Sequence, residues 1–276
     1  MSEPALRRII VAVDGSPQSL QALEAAAGLA ASLEAELHGL FVEDSALLQL
    51  ASLPFAREVR TYTATVRQIN PEIVQGQLRR QSLQARRAIE SVAVRARVAW
   101  AFRVRRGPVV GELLDEMSEA DLVVLGRGRH LGQRRLGSTA RAILLETTRP
   151  VLMIDKRLPP SPHALVLFDG SERAERTLAL TSEIVDALDG YLTLACAAGS
   201  PGTALIAQRQ GFTRLRAQGR EAQCRWLIKP TVHKLATVFQ AERADLLAVP
   251  GDIGLLGGEN LAHLLQHISG PVLVVR

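Results

Sequence analysis

The chain has 276 residues, of which 47% are hydrophobic, and a formal net charge of +5. This length suits two domains with a core each, and no apolar run approaches the roughly 18–20 residues that span a bilayer. There is also no cleavable apolar leader, so we expect a cytoplasmic protein without a transmembrane segment. Aromatic residues make up only 4% of the chain and no recognised binding module is present, which argues against nucleic acid as a partner.

In chain order, the first predicted element is a strand at residues 8–13, a short apolar run typical of a strand buried on both faces of a parallel sheet. Ser16 is predicted to cap the following helix, with Pro17 as its first residue. A second predicted helix begins at Pro108 and joins the third strand to the fourth. The further predicted strands of this part are 36–42, 98–105, 122–125 and 151–154.

The same pattern then recurs. Asp169-Gly170-Ser171 repeats Asp14-Gly15-Ser16, residues 244–248 repeat 120–124, and residues 270–275 repeat 149–154. The predicted strands after the second Asp-Gly-Ser are 192–197, 224–228, 246–249 and 272–275. Strands that alternate with helices predict a mostly parallel sheet covered on both faces, in which ligands bind beyond the carboxyl ends of the strands.

A proline-rich stretch separates the two copies. Three prolines within residues 159–162 disfavour both helix and strand, so we place a linker at 157–163. The first domain is then 1–156 and the second, shorter domain is 164–276.

The first copy carries an insertion at about residues 43–96 that the second copy lacks in large part. It predicts a short apolar helix over 46–51 and a long helix from Pro71 to residue 97. The long helix presents basic residues on one face, at a spacing of seven: Arg79, Arg80, Arg86 and Arg87. A solvated face and a surface that docks an acidic protein partner both fit this pattern. The apolar segment 47–55 suits a core cover or a dimer contact better than a membrane anchor.

The chain resembles the universal stress proteins in their tandem two-domain form. The resemblance rests on residues 11–16 (VAVDGS), 120–126 (ADLVVLG), 136–138 (LGS) and 149–152 (RPVL), in this order. It implies an α/β fold of two tandem flavodoxin-like or Rossmann-like domains of the adenine nucleotide alpha hydrolase-like type, each with a five-stranded, mostly parallel sheet. It further implies no catalytic machinery, ATP binding in some members at the ends of strands one and four, and pairing of domains through the last strand.

The residues of such a nucleotide site can be identified in the first copy. A glycine-rich turn lets backbone N–H groups approach phosphate, and a helix N-terminus such as Gly137-Ser138-Thr139 adds its positive end. Ser138 would cap this helix and donate to phosphate, while Asp14 would accept hydrogen bonds from ribose or adenine. The candidate residues are Asp14, Gly15, Ser16, Val42, Gly126, Arg127, Gly128, Arg129, Gly137, Ser138 and Thr139. A plain turn and helix start, with no ligand, fits these residues equally well.

The glycine loop departs from the pattern typical of ATP-binding members, which is Gly, two residues, Gly, nine residues, Gly and then Ser or Thr. Arg129 stands at the second glycine, and Gly137 follows 11 residues after Gly126, two fewer than that pattern requires. Gly128 and Gly132 remain to give flexibility. The arginines that would neutralise phosphate in place of backbone donors are Arg127, Arg129, Arg134, Arg135 and Arg141.

The second copy has drifted further. Pro250 stands in place of Gly126, and Glu259 in place of Ser138. Proline lacks a backbone donor, and a carboxylate repels phosphate, so we expect the second domain not to bind nucleotide.

Three functional hypotheses remain. The first is a regulatory, stress-response protein that binds ATP or another adenine nucleotide in its first domain. The second is a nucleotide-free interaction module that docks a partner through the basic insertion. The third is a flavin-binding or nucleotide-activating enzyme on the same fold.

Enzymatic signatures are weak. The chain lacks a phosphate loop ending in Gly-Lys-Ser/Thr and a Gly-x-Ser-x-Gly elbow, and its six histidines show no metal-ligand spacing. We therefore expect no metal site and at most slow ATP hydrolysis.

Strands 151–154 and 272–275 are predicted to pair within one chain, which leaves a homodimer open. Cys196 and Cys224 have neither metal-ligand spacing nor a disulfide framework, and we expect two reduced structural thiols.

Overall fold

The computed structural model describes residues 6–53, 55–59, 66–127, 129–130, 133–134, 136–252, 254 and 258–276. The first half contains β1 (Arg8–Ala12), α1 (Pro17–Leu33), β2 (Glu36–Asp44), α2 (Ser45–Ser52), β3 (Arg57–Val59), β4 (Val66–Gln68), α3 (Pro71–Ala96), β5 (Trp100–Gly107), α4 (Val109–Met117), β6 (Leu122–Gly126), β7 (Arg129–His130), β8 (Gln133–Arg134), α5 (Ser138–Glu146) and β9 (Val151–Ile154). The second half contains β10 (His163–Phe168), α6 (Glu172–Ala187), β11 (Tyr191–Ala198), α7 (Pro201–Ala217), β12 (Gln223–Ile228), α8 (Val232–Ala241), β13 (Leu246–Pro250), α9 (Gly258–His267) and β14 (Val272–Val275).

One sheet of ten strands runs through both halves, in the order β12-β11-β10-β13-β14-β9-β6-β1-β2-β5. Within each half all neighbouring strands are parallel, and the order is the same in both: third, second, first, fourth, fifth. One apolar cluster on one face of the sheet includes residues of α1, α3, α6 and α7, and a second cluster includes residues of α4, α5, α8 and α9. The predicted α/β fold with a mostly parallel sheet is confirmed.

Local sequence explains how each half begins. Ile9, Ile10 and Val11 of β1 are at most 1% exposed, as expected for a strand covered on both faces. Ser16 Oγ accepts a hydrogen bond from Ser19 N at 3.2 Å, and Pro17 is the first residue of α1. Ser171 Oγ accepts from Ala174 N at 3.2 Å in the same way, so the predicted caps are confirmed.

The extra part of the first half is smaller than the predicted insertion at 43–96. Helix α3 lies between β2 and β5 in the chain and packs on both strands, as α7 does on β11 and β12. It therefore belongs to the repeated unit, and the added segment is α2 with the β3–β4 hairpin. Of the two roles expected of residues 47–55, the exposures do not support a core cover, because Leu47 and Leu50 are 48% exposed and Phe55 is 76% exposed, and the dimer contact stays a prediction. The predicted linker at 157–163 ends one residue too late, since His163 is the first residue of β10.

The two halves meet through their last strands. β9 and β14 pair within the chain, as predicted, and their orientation is antiparallel, with Leu152 opposite Leu273 at the centre of the register. Both residues are 1% exposed or less. Because this pairing occurs within one chain, β5 and β12 form the two edges of the ten-stranded sheet. In the described part of the chain, no helix has the length and apolar character needed to cross a membrane.

A buried arginine reinforces the junction. Arg127 follows β6 and is only 3% exposed. Its guanidinium donates to three carbonyl oxygens near the C-terminus of α9, those of Leu265 at 2.9 Å, Ile268 at 3.0 Å and Gly270 at 2.8 Å, and it also pairs with Asp155. A cation at the carboxyl end of a helix is favourable, because the last carbonyls of a helix lack intrahelical donors.

Replacement of this arginine should destabilise the whole chain. Arg127→Met leaves buried carbonyls and the Asp155 carboxylate without their cationic partner, so we expect a loss of about 3 kcal/mol in the free energy of unfolding. Urea unfolding followed by circular dichroism measures this loss. The matched control Arg79→Met removes an exposed arginine from α3 and should change stability by no more than about 0.5 kcal/mol. Equal stability of the two variants would contradict the role given to Arg127.

Candidate functional site

A cavity of about 630 Å³ opens at the carboxyl ends of β1, β2 and β6 in the first half. Its volume lies within the ~300–1,000 Å³ typical of small-molecule sites. One wall is polar and is formed by the turn after β1 and by the start of α5. The opposite wall is apolar and includes Val42 of β2 with Val109 and Leu113 at α4. Such an arrangement is suited to a ligand with one flat apolar part and one charged part.

The turn after β1 presents an ionised carboxylate. Gly15 has a φ of +82°, a left-handed conformation that glycine adopts without strain. This turn lets Ser16 N donate to Asp14 Oδ1 at 2.9 Å. Burial opposes ionisation of Asp14, but hydrogen bonds with Ser16 and Ser19 outweigh it and lower the pKa of this carboxyl below its usual value of 3.8. At neutral pH Asp14 is therefore only a hydrogen-bond acceptor.

The start of α5 also lines the cavity. Gly137 is the N-cap, with no side-chain cap hydrogen bond, and Ser138 is the first helical residue. The prediction that Ser138 caps this helix is therefore wrong. The first backbone N–H groups of a helix have no intrahelical acceptor, and Gly137, Ser138 and Thr139 all line the cavity. This end of α5 offers backbone donors and two hydroxyl groups to an anion.

Gly126 has a packing role at the end of β6. A Cβ at this position would lie 2.5 Å from the carbonyl oxygen of Gln18 in α1, so only glycine fits. Glycine at this position therefore permits the close approach of β6 to α1 beside the cavity, which both Gly126 and Gln18 line.

Comparison with known proteins supports one family. The model of the universal stress protein family matches residues 5–155, more than half of the chain. The chain belongs to the universal stress protein family. A universal stress protein of Methanocaldococcus jannaschii is 24% identical over 158 residues, which cover 56% of this chain and 85% of that protein.

Solved structures show the same fold over the full length. A universal stress protein from Archaeoglobus fulgidus superposes with a TM-score of 0.77 at 16% identity, covering 100% of this chain and 99% of that one. A putative universal stress protein from Pseudomonas aeruginosa gives a TM-score of 0.61 at 15% identity, covering 100% and 95%. Both are similar to this universal stress protein along both of its halves.

Most of the residues proposed from the sequence come together. Those that line the cavity are Asp14, Ser16, Val42, Gly126, Gly137, Ser138 and Thr139. Gly15 shapes the turn without lining the cavity. Sequence reasoning missed Gln18, Ser19 and the α4 residues Val109 and Leu113. Their signals were present, because the first turn of α1 follows Ser16 directly and Pro108 starts a helix at the end of a neighbouring strand.

Of the arginines predicted to neutralise phosphate, those whose side chains are described do not line the cavity. The phosphate contact predicted for Arg127 is wrong. Its guanidinium donates to carbonyl oxygens in α9 and just after it, and Arg127 does not line the cavity. Arg141 is exposed on α5 and does not line the cavity. Gly128, Gly132 and Arg135 lie outside the described residues, as do the side chains of Arg129 and Arg134.

The second half keeps the turn but not its surroundings. Asp169 Oδ1 accepts from Ser171 N at 3.0 Å, and Gly170 has a φ of +84°, as in the first half. Beyond β13, however, Asp252 forms an ion pair with Arg173, and the Arg276 side chain lies against Gly251. The side chain of Glu259 lies outside the described residues.

Metal ligands are not clustered in the described part of the chain, where no group of three or more His, Cys, Asp or Glu side chains is arranged to hold an ion.

The two cavity glycines should respond differently to a methyl group. Gly126→Ala forces Cβ against the Gln18 carbonyl and should cost about 1–3 kcal/mol of stability. Gly137→Ala places Cβ in open space at a φ of −61° and should change stability by no more than about 0.5 kcal/mol. Urea midpoints of the two variants measure the difference. Equal losses would show that the close contact of β6 with α1 is absent.

Acid should act on the protein partly through Asp14. Because its folded-state pKa lies below the unfolded value, ionised Asp14 stabilises the fold at neutral pH, and this contribution is lost as the pH falls below about 4. Asp14→Asn should therefore show a smaller loss of stability between neutral and acidic pH than the wild-type chain. Urea midpoints over a pH series test this. A wild-type curve parallel to the variant curve would indicate an unshifted carboxyl.

Proposed function

We propose that this universal stress protein is a regulatory binding protein that holds an adenine nucleotide, such as ATP, in the first-half cavity. The observation that carries the proposal is the position of the cavity. It lies at the carboxyl ends of β1 and β6 and brings together the Asp14 carboxylate, the apolar Val42 wall and the start of α5. Parallel sheets of this type bind ligands at these strand ends.

Each part of the cavity matches a part of the nucleotide. The adenine base would lie against Val42, Val109 and Leu113. The Asp14 carboxylate would accept hydrogen bonds from ribose hydroxyls or the adenine amino group, both of which are donors. Phosphate would lie at the N-terminus of α5, where backbone N–H groups and the Ser138 and Thr139 hydroxyls donate to it. Since Arg127 is committed to α9, most of the phosphate binding would fall on α5.

The lining favours binding over turnover. Its described polar side chains are the carboxylate of Asp14, the amide of Gln18 and the hydroxyls of Ser16, Ser19, Ser138 and Thr139. None of these is positively charged, and none is a general acid with a pKa near neutrality. We therefore propose a nucleotide-dependent regulator that hydrolyses ATP slowly if at all.

The second half would not take part in nucleotide binding. Its β13 ends at Pro250, which lacks a backbone donor, and the Arg173–Asp252 ion pair lies beyond this strand end. Its contribution to the site would be structural, through α9 and Arg127.

Calorimetric titration with ATP tests the proposal, after denaturation and chromatography of a sample to detect retained nucleotide. The variant Gly137→Glu adds a carboxylate at the α5 start without a steric clash and should weaken ATP binding at least tenfold, about 1.4 kcal/mol. The control Gly111→Glu adds the same group to an exposed position of α4 that also has free space, and should bind like wild type. Absence of both retained nucleotide and heat at millimolar ATP would contradict the proposal.

One observation favours a second function, docking of an acidic protein partner. Helix α2 packs on α3, and together they expose the side chains of Leu47, Leu50, Ile73 and Leu83, while Phe55, three residues after α2, is exposed as well. Arg79, Arg80, Arg86 and Arg87 are exposed on α3, and none forms an ion pair with another described residue. By contrast, two arginines of β5 are paired with carboxylates. Arg105 Nη2 lies 2.7 Å from Glu116 Oε2, and Arg106 Nη2 lies 2.6 Å from Glu43 Oε2. An apolar surface beside free cations fits an amphipathic partner with an acidic face.

A fluorescently labelled amphipathic helical peptide, with Glu on one face and Leu on the other, tests this surface. Its binding to the protein is measured by fluorescence anisotropy. Binding should weaken at least tenfold in Arg79→Glu/Arg86→Glu and should be unchanged in the control Arg209→Glu, an exposed arginine of α7. Equal binding of the peptide by the two variants would contradict the assignment of the docking site to the α2–α3 surface.

A further inference from the structure

The two cysteines of the second half lie side by side. Cys196 Sγ and Cys224 Sγ are 3.1 Å apart. Cys196 is in β11 opposite Trp226, and Cys224 is in the neighbouring β12 opposite Leu194, so the two are diagonal neighbours on one face of the sheet. Both contribute to the apolar cluster on that face. The sequence predicted two reduced structural thiols and did not anticipate this contact.

The two sulfurs differ in access to solvent. Cys196 is 0% exposed, whereas Cys224 is half-buried. β12 is an edge strand of the sheet, and the next but one residue, Trp226, is 46% exposed. A small oxidant therefore reaches Cys224 first, while Cys196 is shielded by the fold.

The two sulfurs also differ in proton affinity. The hydrogen bond between them lowers the pKa of Cys224, and the charge of the neighbouring Arg225 acts in the same direction, although burial opposes both. The same hydrogen bond, together with burial, raises the pKa of Cys196 well above its usual range. Cys224 is thus the sulfur that becomes a thiolate, and Cys196 keeps the proton.

We propose that Cys196 and Cys224 form a reversible intramolecular disulfide when the protein meets hydrogen peroxide. The Cys224 thiolate attacks one peroxide oxygen, the O–O bond breaks, and Cys224 sulfenic acid and hydroxide are formed. The Cys196 sulfur then attacks the sulfenic sulfur, the S–S bond forms, and the S–O bond breaks. The displaced hydroxide takes the Cys196 proton and leaves as water. The hydroxide of the first step takes up the proton that Cys224 released on ionisation, so the thiol pair loses two electrons and one peroxide becomes two waters.

The geometry favours the second step over further oxidation. Closing the sulfur–sulfur distance from 3.1 Å to the ~2.05 Å of a disulfide needs a movement of about 1 Å. The resolving sulfur is thus already in contact when the sulfenic acid forms. The bond would fix edge strand β12 to β11 and enclose α7 between the two cysteines. This redox response belongs to the second half and does not depend on nucleotide binding by the first.

Peptide mapping of the full chain tests the proposal directly. The reduced protein is treated with hydrogen peroxide, remaining thiols are alkylated, and the sample is digested with trypsin without reductant. We expect a linked pair of peptides, residues 177–209 joined to residues 221–225, and separate peptides after dithiothreitol. Failure to lose thiols, a disulfide between two chains, or Cys224 sulfinic acid beside free Cys196 would each overturn the proposal.

Single variants separate the roles of the two sulfurs. Cys196→Ser removes the resolving thiol, so peroxide should leave a Cys224 sulfenic acid that dimedone traps. Cys224→Ser removes the accessible thiol, so Cys196 should resist peroxide. Oxidation should also raise the melting temperature of the wild-type chain by about 5 °C, reversibly with dithiothreitol, and of neither variant. Oxidation of Cys196 in Cys224→Ser at the wild-type rate would contradict the order of attack. The wild-type peptide map decides the question even if a variant fails to fold.

Discussion

The structure depends above all on the antiparallel pairing of β9 with β14. Each half ends its sheet in a short, fully apolar strand that would otherwise be an exposed edge, and the two strands cover one another. Arg127 adds an ionic and hydrogen-bonded contact across the same junction, from the end of β6 to the carbonyls of α9. The two halves of the chain are thereby held in one ten-stranded sheet.

This junction ties the candidate nucleotide site to the second half. The loop between Gly126 and Gly137 begins at Arg127, whose guanidinium is held by α9, and β8 of the loop packs against α9. A shortened loop that lacks one glycine is thus supported from the side by another part of the chain. The second half has retained its Asp169 turn, but the end of β13 differs from that of β6. The two copies have therefore diverged at the strand ends where the first half forms its candidate site.

Local signals predicted much of this arrangement. Residues 151–154 and 272–275 are strands with the predicted bounds, and the strand order brings Asp14, Val42 and Gly126 to one edge, as expected from parallel topology. The failures involve contacts between distant residues. Arg127 was predicted to bind phosphate because the carbonyls that bind it lie 138 to 143 residues away, in α9 and just after it. The Cys196–Cys224 contact depends on the register of two strands, which the sequence alone does not show. Helix α3 was assigned to an insertion because α7, its equivalent in the second half, has a different sequence.

Photolabelling with an azido-adenine analogue of ATP, followed by peptide mapping, is the most direct test of this division between the halves. Residues around β2 and α4 line the apolar wall of the cavity, so label should appear in peptides of residues 36–44 and 109–117 and should be displaced by unmodified ATP. Displaceable label in peptides from residues 163–276 would show that the second half binds nucleotide, and would contradict the assignment of the site to the first half.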